Sequence, residues 1–239
     1  MDKEHSRLAE QFAEMASSTP ARIGVGRTGT RPLTAEQLKL RLDHAAAVDA
    51  VYGEVPQSLL DAFGLFTVDT RFGDKEAYLR QPNLGRVLTA EAEVELGRRC
   101  KRRPQVQIVV SDGLSAKAVE DNLPDILPAL SDSLEVYGLE PGTSFFVRGG
   151  RVGCMDDIGR ILQPEVLVLL IGERPGLVTA SSLSAYMCYR PGPGRKDSDR
   201  MVISNIHRRG TTPVEAGAHI GYLLRKMTEQ RTSGVTLVL

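Results

Sequence analysis

Apolar positions along this chain change rhythm near residue 105. Before that point they recur at helical spacing. Leu8, Phe12 and Met15, with Ala9, Ala13 and Ala16 beside them, line one face of a helix predicted over residues 3–16, which Ser17-Ser18-Thr19-Pro20 ends. Leu38, Leu42 and Ala45 fall on one side of a second helix, opened by Thr34 with Gln37 three residues on, the pattern of a capping box. Turn residues crowd 52–85, so short helices and loops are expected there, with strand character around 65–68. Ala92, Leu96 and Cys100, four apart, mark a helix that begins at Thr89 and stops at Arg102-Arg103-Pro104.

After residue 105 short apolar runs take over. Strands are predicted at 106–110, 144–147, 166–171, 183–189 and 201–203, with a possible edge strand at 235–239. Between them lie helical stretches over 116–137, which Pro124 and Pro128 are expected to interrupt, and near 157–162. A last helix opens at Thr211-Thr212-Pro213 and carries Val214, Ala218, Leu223 and Met227. This alternation predicts an α/β fold: a Rossmann-like, mostly parallel sheet with flanking helices, preceded by a mainly helical N-terminal region. The chain divides on this reading into an amphipathic helix at 1–18, a mainly helical region at 19–104 and a sheet domain at 105–239.

The run Val-Leu-Val-Leu-Leu-Ile at 166–171 suits a strand covered on both faces. Gly172 ends it and Pro175-Gly176 forbids a helix, so Glu173 and Arg174 sit at the carboxyl end of a buried strand, where open α/β sheets bind ligands. The same pair can equally be solvating a turn. Ser111-Asp112-Gly113-Leu114-Ser115 reads as a turn between strand and helix, with Ser115 as cap and backbone N–H groups near Gly113 facing the same edge, a good setting for phosphate. Asp112 and Gly113 therefore join the candidates. Gly24-Val25-Gly26-Arg27-Thr28-Gly29 fits G-x-G-x-x-G, but no buried strand precedes it and Pro32 follows, which rejects a dinucleotide site. These glycines suit a loop that lets Arg22, Arg27 and Arg31 approach an anionic group or a partner surface. The Gly-Pro-rich segment 190–196 has the composition of a mobile loop.

Thirty basic residues balance thirty acidic ones and aromatics are 5% of the chain, so no broad electrostatic footprint for nucleic acid or anionic lipid exists. Cys100, Cys154 and Cys188 are odd in number and widely spaced, against both a disulfide framework and a zinc site, which favours the cytosol. No apolar stretch reaches the roughly 18 residues of a membrane helix. No Ser-His-Asp, Cys-His or metal-ligand constellation stands out, so no catalytic or metal-binding residue is assigned.

Ser111-Asp112-Gly113-Leu114-Ser115, Phe145-Phe146-Val147-Arg148, Gly172-Glu173-Arg174-Pro175-Gly176-Leu177 and Ile203-Ser204-Asn205-Ile206-His207, in this order and spacing, closely resemble the light chain of ethanolamine ammonia-lyase. Gly26-Arg27-Thr28-Gly29-Thr30-Arg31-Pro32 resembles that family's Gly-Arg-Ala-Gly-Pro-Arg-Pro stretch, and the similarity runs from Thr19 to Gly234. The resemblance implies a subunit of an adenosylcobalamin-dependent lyase that converts ethanolamine to acetaldehyde and ammonia by radical chemistry. It implies a heavy-chain partner holding the substrate, a hetero-oligomer, an isolated chain without activity, and a cytoplasmic place within a bacterial microcompartment. The family's cofactor contacts carry over onto Val152, Glu173 and Val202; the Gly-Pro loop before Val202 differs from the family's in sequence.

A corrin offers a broad apolar ring rimmed by amides and a phosphate-bearing tail, so small apolar walls and a few polar groups suit it. Val152 and Val202 supply walls and Glu173 an acceptor; Arg174 is a candidate donor to amide carbonyls or the tail phosphate, beside Asp112 and Gly113. None of His5, His44, His207 or His219 lies in Asp-x-His-x-x-Gly, the pattern of histidines that ligate cobalt, so the cofactor is expected to keep its own base. Two other classes remain open on the residues alone: an autonomous nucleotide-binding enzyme, and a non-catalytic assembly or targeting protein addressed through the 1–18 helix.

Overall fold

The computed structural model describes residues 2–19 and 21–239. Helix α1 (Asp2–Ser18) forms where the spacing placed it, and leaves Leu8, Phe12 and Met15 about half exposed. Two-residue strands β1 (Arg27–Thr28) and β2 (Arg31–Pro32) then pair as a hairpin, which accounts for the glycines as a turn rather than a nucleotide loop. Arg22 is tied to Asp43 on the next helix, α2 (Thr34–Tyr52), and Arg27 bonds within the hairpin to the Thr30 carbonyl. The capping box at Thr34 does not form. Leu33 N–H is held by the Gly26 carbonyl at 2.9 Å, so Leu33 becomes the boundary residue and Thr34 is already helical.

The turn-rich stretch folds as α3 (Gln57–Ala62), β3 (Phe66–Asp69) and α4 (Lys75–Arg80). Helix α5 (Ala90–Arg99) starts at Thr89, whose hydroxyl accepts the Ala92 N–H at 3.1 Å. Strands β4 (Val106–Ser111), β5 (Phe145–Arg148), β6 (Val166–Gly172), β7 (Leu183–Tyr189) and β8 (Arg200–Ile206) join β3 in one six-stranded sheet of order β3-β5-β4-β6-β7-β8. The first four in that order are parallel; β7 and β8 turn back antiparallel. β3 precedes residue 105 in the chain yet pairs fully with β5, Phe66 opposite Phe145 and Asp69 opposite Arg148.

Strand alternation sorts the core into two layers. All seven residues of β6 are buried. Val166, Val168 and Leu170 face α6 (Ala116–Val136) and α8 (Pro213–Gln230), while Leu167, Leu169 and Ile171 face α5 and α7 (Cys154–Leu162). Each such side chain contributes about 1.5–3 kcal/mol on leaving water, and this double burial is why the strand reads as an unbroken apolar run.

Pro124 and Pro128 do not interrupt α6, which runs through both. They lie on its exposed face, so the Glu120 and Pro124 carbonyls that lose an N–H partner can turn to water. Thr212 caps α8 in a capping box with Glu215, as its sequence suggests. The expected edge strand at 235–239 is instead a 3₁₀ turn (Gly234–Thr236). Gln230 takes both Val238 backbone groups through its side-chain amide, at 2.6 and 3.1 Å, and the sheet edge already belongs to β8.

The Gly-Pro segment after β7 is pinned. Pro191 is buried, and its carbonyl lies so close to Gly159 of α7 that any Cβ there would collide with it. No helix among the described residues is long and apolar enough to cross a membrane.

Candidate functional site: a cleft beside helix α7

A parallel strand pair needs a crossover, which here delivers a helix to the sheet; an antiparallel pair does not. The connections from β6 to β7 and from β7 to β8 bring no α-helix, so on the α5–α7 side the sheet is left open beyond the nine-residue α7. A cleft of about 1020 Å³ fills that gap.

One wall consists of Tyr186 and Val202, register partners on β7 and β8 whose side chains point to the same side; Val202 is 49% exposed. The facing wall is Val152 and Gly153, just before α7, with Asp156 on its first turn. Glu173 continues the β6 ladder through its N–H to the Ser182 carbonyl at 2.9 Å, and alternation puts its side chain on the Ile171 side. There its Oε1 accepts the Tyr186 hydroxyl at 3.3 Å. Burial, then the Glu173 charge, pushes the Tyr186 hydroxyl pKa up, which keeps it a donor.

Arg200 crosses the floor with its side chain only 6% exposed, bonded to Asp156 Oδ2 at 2.5 Å and to Asp197 Oδ1 at 2.6 Å. Burial pushes the Asp156 carboxyl pKa up and Arg200 opposes that. Three buried polar atoms on this cleft have no hydrogen-bond partner: Arg151 Nε, Arg200 Nε and Asp156 Oδ1, although the Gly192 N–H lies close enough to favour the Asp156 anion. Unmet buried groups are rare in a folded chain, so two donors and an acceptor at one cleft point to a polar ligand. Arg151 stacks over the Tyr78 ring, 4.2 Å from its centroid.

Arg151 and Pro82 separate this cleft from a second, of about 620 Å³, walled by Val48, Val51, Tyr52, Leu114 and Leu177. Arg174 lines the second cleft. Adjacent in sequence, Glu173 and Arg174 thus serve different surfaces.

Asp112 and Gly113 are buried behind both clefts. Asp112 Oδ1 accepts the Gly149 N–H at 2.8 Å and Lys75 Nζ stands 3.9 Å from the carboxylate; burial nonetheless pushes its pKa up. The expectation of free N–H groups around Gly113 is not met: the Gly113, Leu114 and Ser115 N–H groups go to Ser111 Oγ, the Gly172 carbonyl and the Asp112 carbonyl. The turn uses its own donors to close itself. Tyr78, fully buried, places its hydroxyl 3.0 Å from the Gly113 carbonyl and 2.8 Å from the Gly150 carbonyl, joining the β4 and β5 tips.

Val152 and Val202 thus line one cleft; Glu173 does not line it and reaches it only through Tyr186, and Arg174, Asp112 and Gly113 do not line it. Tyr186, Asp156, Arg151 and Arg200 escaped sequence reasoning. Asp156 and Arg200 are 44 residues apart with no local signal to join them, and Tyr186 is hidden inside an apolar run.

Comparison with known proteins gives a consistent result. The profile of the family described as "Ethanolamine ammonia-lyase light chain (EutC)" matches residues 9–238. An ethanolamine ammonia-lyase small subunit from Lachnoclostridium phytofermentans is 45% identical over 234 residues, 98% of this chain and 79% of that protein. The Clostridium tetani small subunit is 48% identical over 231 residues (97% and 78%), and that of Listeria innocua 44% over 228 (95% and 78%). On the strength of the full-length match and these identities, this chain belongs to the ethanolamine ammonia-lyase light-chain family.

Proposed function

We propose that this chain forms one wall of an adenosylcobalamin site in an ethanolamine ammonia-lyase, the substrate pocket and the other wall coming from a heavy-subunit partner. One observation carries the reading: Val152 and Val202, fifty residues apart in sequence, line a single cleft, and Glu173 is bonded to Tyr186, which lines it too. When bound, the cofactor supplies the radical chemistry that turns ethanolamine into acetaldehyde and ammonia.

The residues present fit such a group. Val152, Val202 and the Tyr186 ring give an apolar wall for a corrin face. Arg151 Nε, Arg200 Nε and Asp156 Oδ1 are two donors and one acceptor without partners, the complement of the primary carboxamides on a corrin rim. Glu173, steadied by Tyr186, adds a further acceptor. Pro82 and Arg86 border the cleft too, so residues before and after 105 build the wall together. His207 is engaged at both ring nitrogens, Nε2 with Asn205 Oδ1 at 2.7 Å and Nδ1 accepting the Arg209 N–H at 3.1 Å, which supports a cofactor that keeps its own base. Nitrogen-15-labelled protein histidine should show no superhyperfine coupling to cobalt in electron paramagnetic resonance.

The test is co-expression with a heavy chain, purification, and measurement of adenosylcobalamin binding and ammonia release. Val202→Trp, which fills the cleft from an exposed position, is expected to weaken cofactor binding at least about tenfold, roughly 1.4 kcal/mol. Unchanged binding in both Val202→Trp and Val152→Trp overturns the assignment. The chain without its partner is expected to release no ammonia.

The exposed Leu8, Phe12 and Met15 stripe on α1 favours a second role for that helix, as an address for a microcompartment in the cytoplasm. Deleting residues 1–18 should redistribute the protein in cells while leaving reconstituted turnover intact.

A further inference from the structure

We propose that the outward face of α2 is a self-association surface, on which a second copy of this chain lays its own α2 antiparallel about a two-fold axis at Ala45. No residue of α2 lines the α7 cleft, so the inference stands apart from the corrinoid reading. The first ground is the way the helix is turned. Its least exposed residues are Glu36, Asp43, Ala47, Ala50 and Val51, of which Ala50 alone is buried. Asp43 is bound to Arg22, so the inward side is held partly by charge. Leu38, Leu42 and Ala45, whose spacing is that of a buried face, point the other way, with Leu42 71% and Leu38 54% exposed. A row of leucines turned to water along a four-turn helix is unfavourable, and such a surface marks a place where another chain sits.

The charges on that face name the occupant. Arg41 and Asp49 stand one turn to either side of Ala45, both exposed, and neither forms an ion pair among the described residues. Asp49 lies in the last turn, where the helix dipole disfavours an anion and no basic residue offsets it. In a symmetric pair, residue i meets j and j meets i. A parallel pair would set Arg41 against Arg41 and Asp49 against Asp49, like charge on like. An antiparallel pair with its axis at Ala45 instead brings each Arg41 within reach of Asp49 of the second copy, and each Leu38 opposite the second copy's Tyr52, itself 54% exposed. Both pairings follow from one axis, because 41 and 49, like 38 and 52, are equidistant from 45. Ala45 meets itself there, and its single methyl lets two helices approach to about 8 Å, the close end of helix packing.

Ala45→Cys tests the axis directly, because Cys100, Cys154 and Cys188 are all buried and leave position 45 as the accessible thiol. The full chain, alone and in complex with its heavy partner, is treated with a short bismaleimide. Light chain joined to light chain is expected in both preparations for Ala45→Cys, and in neither for Val136→Cys, an exposed position on α6. Sedimentation equilibrium of the full chain then reads the register. Arg41→Asp, which sets two anions together, is expected to weaken the dimer at least about tenfold, and the exchange Arg41→Asp/Asp49→Arg to restore it to within about threefold of wild type. Leu42→Asp should leave a monomer. All three positions are exposed, and an unshifted thermal midpoint checks that each variant is folded. A chain that stays monomeric at every concentration and gives no joined product overturns the proposal. So does a dimer indifferent to Arg41→Asp and Leu42→Asp, or one that the charge exchange fails to restore. Joined product that forms with the isolated chain and is lost in the complex gives the stripe to the heavy partner, and overturns self-association as its role in the enzyme.

Discussion

Strands β4, β5 and β6 pack side chains into both layers, whereas on the α5–α7 side β7 adds only Cys188 and a partly buried Tyr186, and β8 adds nothing. The difference follows from connectivity. Each parallel step needs a crossover, and the helix that makes the crossover also covers the sheet; the antiparallel return from β6 through β7 to β8 supplies none. Residues of one apolar type therefore meet opposite fates: Leu169 is fully buried and Val202 is half exposed at the cleft. The comparison teaches that the candidate site is a consequence of topology before it is a matter of particular side chains.

Stability measurements on single variants can break that contrast. Leu169→Ala in the roofed half is expected to cost about 2–5 kcal/mol in chemical denaturation, the usual range for emptying a buried leucine site. Val202→Ala in the open half should cost no more than about 0.5 kcal/mol. Similar losses at the two positions would mean that the second face is covered after all. Next in size, Tyr78→Phe removes the hydroxyl that reaches the buried Gly113 and Gly150 carbonyls, and should cost about 1–3 kcal/mol through unmet backbone acceptors.

A smaller effect sharpens the picture at the β4 tip. Asp112→Asn keeps an acceptor for the Gly149 N–H while discarding a buried charge, so it should lie well below Asp112→Ala, which strands that N–H at about 1–3 kcal/mol. Equal losses from the two would make the charge, and its approach to Lys75, the important term.

The smallest effect belongs to the open half and is read against pH. Burial, then the nearby Arg209 charge, holds the His207 imidazole below its ordinary pKa of 6.5. The unfolded chain then takes up the proton more readily than the folded one, so protonation favours unfolding. The folded state should keep its full margin above pH 6.5 and lose part of it as pH falls below that value. His207→Gln should flatten this dependence in denaturation midpoints taken between pH 7.5 and 5.5; an unaltered slope assigns it to other groups.

Much of the roofed half was legible in the sequence because burial on both faces writes itself as continuous apolar runs, as at 166–171. Helix starts were legible where a side chain does the capping, at Thr89, Ser115 and Thr212. Thr34 misled because a backbone bond from Leu33 to Gly26, set by the hairpin, fixed the boundary one residue earlier. Pro124 and Pro128 misled because their cost depends on which side of α6 they face, and that is decided by packing. At the site, Glu173 was visible as a charge at a strand end, and the family resemblance supplied Val152 and Val202. The role of Arg200 was not visible, since its two carboxylate partners, Asp156 and Asp197, are drawn from α7 and from the turn before β8.

The contact between Gly159 and Pro191 has a mechanical consequence. A segment whose glycines and prolines advertise a swinging flap is seated on a helix at Pro191, so its first turn is set by packing against α7. A larger residue at 159 would lever that parapet outward, widening the entrance without touching any residue that lines it.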